Sequence, residues 1–179
     1  MRRPVVTAAL AAALAACTGE PMRDPGIAAF RENAVAIGDA AAAYHSGAAT
    51  MADADACASA RAAYDADVRP MVERAREMAV AMDAHMAEMG RAGHADMACA
   101  AQAMMDELDR HAGAACASQG DMAPNVAEVG AHAGAMSGWA EHERARCDEL
   151  GAMMGGGGMG GMGGGMMDPG TTRSCPAAP

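Results

Sequence analysis

Apolar residues recur along this chain in alternating steps of three and four over four long segments, and that spacing restricts the fold more than any other feature. Steps of three and four put side chains on one face of an α-helix. The first stripe is Ile27, Phe30, Ala34, Ile37, Ala41, Tyr44 and Ala48. The second runs Cys57, Ala60, Tyr64, Val68, Met71, Ala75, Met78, Met82, His85 and Met89. Its register passes Pro70 without a slip, which predicts one helix kinked there rather than two helices and a turn. The third stripe is Met97, Ala101, Met104, Leu108, His111 and Ala115, ended by Ser118-Gln119-Gly120. The fourth, entered through Pro124-Asn125, reads Val129, His132, Met136, Trp139, Glu143 and Leu150. Breaks at Ser46-Gly47, Gly90 to Gly93 and Gly120 to Pro124 are short, and short links join antiparallel neighbours. The expected fold is all-α: an up-and-down antiparallel four-helix bundle over residues 27–152.

A chain of 179 residues holds one such domain. Its hydrophobic share of 52% rests largely on alanine and 19 methionines, with only 2% aromatic residues, so the core should be thin and closely packed. The formal charge of -10 argues against nucleic acid as a partner, because phosphate binding needs a positive face. Every basic residue is arginine, which reads as codon bias of a GC-rich gene before it reads as chemistry.

The first residues, MRRPVVTAALAAALAAC, combine Arg2 and Arg3 with an apolar run from Val5 to Ala16. That run falls well short of the roughly 20 residues a membrane span requires, so residues 1–16 read as a signal peptide. Leu14-Ala15-Ala16-Cys17 resembles the lipobox of bacterial lipoproteins. The resemblance implies cleavage before Cys17, acylation of its sulfur and amine, and anchoring in a membrane of the cell envelope. Because Thr18 rather than Asp follows the cysteine, the family's sorting rule favours the outer membrane over the inner. Residues 17–26, with Pro21, Pro25 and Gly26, read as a tether.

Besides Cys17, the chain carries Cys57, Cys99, Cys116, Cys147 and Cys175, and an oxidising compartment favours disulfides. No C-x-x-C pair is present, which excludes thioredoxin-like, zinc-ribbon and c-type haem chemistry. Folding the third and fourth helices back about residue 121 brings Cys99 near the level of Cys147, and Cys57 and Cys116 fall near the opposite end. The expected pairs are therefore Cys57 with Cys116 and Cys99 with Cys147, leaving Cys175 alone. One difficulty is that the longer second helix carries Cys57 past Cys116 unless it starts late or bends.

Histidine is not a default core residue, yet His85, His111 and His132 lie on stripes and His45 flanks one. The turns bring His45, His111 and His132 toward one end of the bundle, and His85 with Met82, Met86 and Met89 toward the other. Imidazole with thioether suits copper, above all Cu(I). The stretch MMGGGGMGGMGGGMM, within a tail of residues 153–179 expected to be disordered, repeats the thioether on a permissive backbone. Against this stands plain packing, since methionine fills irregular gaps in helical cores. Di-iron chemistry needs Glu-x-x-His on two helices, and Glu128-x-x-x-His132 has the wrong spacing. A b-type haem would find few aromatics to pack against, and no nucleophile constellation or phosphate loop is present. The chain reads as a non-enzyme. Two functions remain: an envelope lipoprotein that binds or buffers copper through His/Met groups, or a structural or partner-binding lipoprotein with no metal site. In the latter, surface methionines could serve as an oxidant sink.

Overall fold

The computed structural model describes residues 25–88 and 95–155. The signal segment, Cys17, Met89 and residues 156–179 lie outside the described residues, as does the side chain of Met86. Four helices follow in order: α1 Pro25–Ala48, α2 Ala54–Glu88, α3 Ala95–Ala114 and α4 Ala123–Gly155. Each packs on its neighbours in sequence, and α4 closes the ring against α1. This is the four-helix bundle that the stripes predict.

Local chemistry sets the helix ends. Pro25 opens α1, where its missing N–H has no intrahelical partner to lose. Asp53 Oδ1 accepts Ala56 N–H at 2.8 Å and Asp121 Oδ1 accepts Ala123 N–H at 2.9 Å, capping α2 and α4. Between α3 and α4, Asn125 is buried and acts as a clamp. It accepts Ser118 N–H at 3.0 Å and donates to Ser118 O at 2.8 Å. α4 ends three residues later than expected, so Met153 and Met154 belong to the helix rather than the tail.

α2 is one continuous helix through Pro70, which is exposed. Its inner face departs from the predicted stripe. Val72 and Ala79 are wholly buried, Met71, Met78 and Met82 are half-buried, and His85 is exposed. A repeat kept near 3.5 residues drifts against a helix of 3.6 per turn, so over five turns the stripe rotates off the core. The other three stripes stand: Phe30, Ile37, Met97, Met104, Leu108, Val129 and Met136 are sealed inside. α1 and α4 approach closely because small residues face each other, and a Cβ added at Gly38 would sit 3.6 Å from Ala140 Cβ.

The Cys57–Cys116 disulfide forms as expected, with Cα atoms 5.6 Å apart. Cys57 stands three residues inside the start of α2, and Cys116 lies beyond the end of α3 in a left-handed conformation (φ 62°), where the two meet despite the longer α2. Cys99 does not pair with Cys147. Cys147 is a free, buried thiol, while Cys99 is disulfide-bonded but not to Cys147. The level was right and the azimuth wrong. Arg146 meets Asp96 of α3 at 2.7 Å and Asp148 meets Arg31 of α1 at 2.9 Å. Residues advance about 100° each around a helix, so Cys147, between those two, points into the core and not at α3.

Candidate functional site

At the tier where α3 turns back into α4, all four helices contribute polar side chains to the core. α3 supplies Glu107, Arg110 and His111, and α4 supplies Glu128 and His132. Glu and His stand four residues apart on each helix, hence on one face. The partners are exchanged. His132 Nδ1 meets Glu107 Oε1 at 2.9 Å, and His111 Nδ1 meets Glu128 Oε1 at 3.1 Å. Arg110 ties the two carboxylates, at 2.6 Å from Glu107 and 2.8 Å from Glu128.

The other ring nitrogens reach the remaining two helices. His111 Nε2 lies 3.2 Å from the Tyr44 hydroxyl on α1, and His132 Nε2 lies 3.1 Å from the Tyr64 hydroxyl on α2. A carboxylate at Nδ1 can only accept, so each histidine donates there. Each Nε2 is thereby left to accept the phenol proton. The result is two parallel chains, Tyr44–His111–Glu128 and Tyr64–His132–Glu107. The two imidazoles stack with centroids 3.9 Å apart and planes 14° apart. The two phenols stack at 4.4 Å and 13°.

Burial governs the protonation states. It drives His132 down to about 4, with the neighbouring His111 adding to the effect and Glu107 opposing it. Burial lowers His111 in the same direction against its hydrogen bond to Glu128. Burial pushes Tyr44 up to about 12 and Tyr64 upward as well. For Glu107 and Glu128, burial pushes upward, but hydrogen bonds from Arg110 and the histidines leave both below the ordinary carboxylate value. At neutral pH the phenols and imidazoles are therefore uncharged, and Arg110 faces two carboxylates.

A carboxylate behind a histidine is also what supports a metal-bound imidazole. Here, however, each Nε2 lone pair is directed at a phenol. Two rings stacked nearly parallel cannot aim both in-plane lone pairs at one ion. Among the described residues, no group of three or more His, Cys, Asp or Glu is placed to hold a metal.

The remaining sequence candidates are scattered. His45 does not join His111 and His132: it is exposed, its ring against the backbone of α4 at Gly130, where an added Cβ would lie 3.2 Å from its Nε2. His85 is exposed and Met82 half-buried. Glu107 and Arg110 are not singled out from the sequence, Glu128 figures there only in the rejected di-iron pattern, and Tyr44 and Tyr64 only as core positions. A signal for the two glutamates was present, because Glu-x-x-x-His occurs twice, as ELDRH at 107–111 and EVGAH at 128–132, flanking one turn.

A second polar group lies toward the other end of α4. Glu143 is 0% exposed and neither carboxylate oxygen has a hydrogen-bond partner. Burial, reinforced by Asp96 and opposed by Arg146, pushes it up to about 9. The Nε2 of His142 is likewise buried without a partner, and the Cys147 thiol follows one turn after Glu143. Between α1 and α4 runs a shallow groove of about 200 Å³ lined by Val35, Gly38, Asp39, Ser137, Glu141 and Arg144, none of which belongs to the paired chains. No family model, curated protein or solved structure matches this chain.

Proposed function

We propose that this chain is a non-enzymatic cell-envelope lipoprotein, held at the outer membrane through acyl chains on Cys17, whose bundle acts as a structural or partner-binding scaffold. The lipobox resemblance supports the address. Several acyl chains hold firmly, since each buried methylene contributes about 0.8 kcal/mol. The observation that carries the scaffold reading is the closure of the polar core. Both ring nitrogens of His111 and of His132 have partners, so that tier offers no open position to substrate or ion.

Soft-metal binding is the second reading, and one observation favours it at a different place from the predicted histidines. The orphan oxygens of Glu143 and the thiol of Cys147 stand four residues apart on one face of α4, two donors side by side, whereas His142 is turned about 100° away from Glu143. Buried carboxylate oxygens without partners are rare in a satisfied core, and a thiolate ligand suits copper or zinc. Anaerobic titration of the full chain in detergent with Cu(I), against a competing chelator, separates the readings. The scaffold reading expects no tight site in the bundle, and His111→Ala should change nothing. Tight one-to-one binding that weakens at least tenfold in Cys147→Ser or Glu143→Gln would replace it with the metal reading.

A further inference from the structure

A core closed to molecules is still open to electrons and protons. We propose that Tyr44 and Tyr64 form a redox-active pair, each phenol giving up an electron to a one-electron oxidant while its proton passes along the existing hydrogen bond to histidine. The oxidant class is an oxygen-derived radical or a high-potential metal complex at the bundle surface.

The step balances within the site. The phenol O–H bond breaks, its proton moves to Nε2 of His111 or His132 over 3.2 or 3.1 Å, and the electron leaves for the oxidant. A neutral phenoxyl and an imidazolium remain. Without an acceptor, oxidation would give a phenol radical cation in a buried site, where an unpaired charge is costly. Here the positive charge appears on an imidazole already donating Nδ1–H to a carboxylate, Glu128 or Glu107. Reduction by a small thiol or quinol returns the electron, and the proton goes back from Nε2 to oxygen.

Three features go beyond what a merely satisfied core needs. The phenol–imidazole–carboxylate chain is built twice from four helices. The phenols stack at 4.4 Å, so a hole formed on one can be shared with the other. Both rings are almost wholly shielded, at 7% and 6% exposure, which keeps the radical from reacting with solvent species.

The test is flash oxidation of the full chain by a photogenerated ruthenium(III) complex, with the radical followed by its phenoxyl absorption and electron paramagnetic resonance. The expected result is a tyrosyl radical living at least tenfold longer than that of the urea-unfolded chain. It should persist in Trp139→Phe and disappear in Tyr44→Phe/Tyr64→Phe. Oxidation of the unaltered chain should slow in D2O and stay independent of pH from about 7 to 9, because phenolate is not the reacting form. Glu107→Gln keeps an acceptor for Nδ1–H but removes the charge opposite the imidazolium, so formation on Tyr64 should slow about tenfold. A radical confined to Trp139, or a lifetime equal to that of the unfolded chain, would overturn the proposal. So would a rate that rises with pH and shows no isotope effect, a readout that needs no variant to fold.

Discussion

At the scale of single residues, two buried groups set opposite pH responses. His132 takes its proton near pH 6.5 when unfolded and only near 4 when folded. Between those values the unfolded chain binds more protons, so stability falls as pH drops, by about 3 kcal/mol across the window. His111 adds in the same direction. Glu143 has its usual value near 4.5 when unfolded and about 9 when folded. There the folded chain binds more protons, and stability falls as pH rises. From pH 4.5 to 6.5 the two effects oppose. Glu143→Gln should therefore flatten urea-unfolding stability between pH 7 and 9 and expose the histidine-driven loss below 6.5. An unchanged profile would show that Glu143 is not buried unpaired. Cys147 gives a second expectation at this scale. Burial, then the charge of Glu143, drives its thiol up to about 12, and thiolate is the reactive form. Alkylation of Cys147 should be negligible in the folded chain and rapid in denaturant.

At the scale of elements, periodicity identified the helices well and their rotation less well. α1, α3 and α4 bury most of the residues their stripes name, with Ile27 and Ala115 only half-buried at the ends. α2 has alanine, valine or methionine at nearly every inner candidate, so sequence alone could not choose between Met71 and Val72 or between Met78 and Ala79. Packing chose the smaller residue each time. The same ambiguity misplaced His85 and mis-paired Cys147, since level follows from counting residues but azimuth follows from which neighbour a face meets. The turn between α3 and α4 sets the level at which the two Glu-x-x-x-His faces meet. Asn125→Ala removes both bonds to Ser118 and should cost about 2 kcal/mol. It should also loosen the exchange of partners between Glu107 and Glu128, seen as reduced hydrogen-exchange protection around Ser118.

For the whole molecule, the question is what holds a core so poor in large side chains. The Cys57–Cys116 bridge joins the start of α2 to the end of α3, closing a separation of 59 residues. Restricting the unfolded chain over such a loop stabilises by about 4 kcal/mol. Cys57→Ala/Cys116→Ala should lower unfolding stability by that order, and a loss under about 1 kcal/mol would mean the bundle closes without it. The sequence by itself determined the fold class, the number and order of helices and the antiparallel topology, and it offered this bridge alongside one that does not form. Fold class and topology depend on the spacing of apolar residues within each segment and on the shortness of the links, both of which can be read along the chain. Only the tertiary structure decided that His111 and His132 stack on each other instead of opening to an ion with His45, that each takes the other helix's glutamate, and that both end on stacked tyrosines. Such choices are made between side chains from four separate helices, whose relative rotation is fixed when the cores interlock and is written in no single stripe.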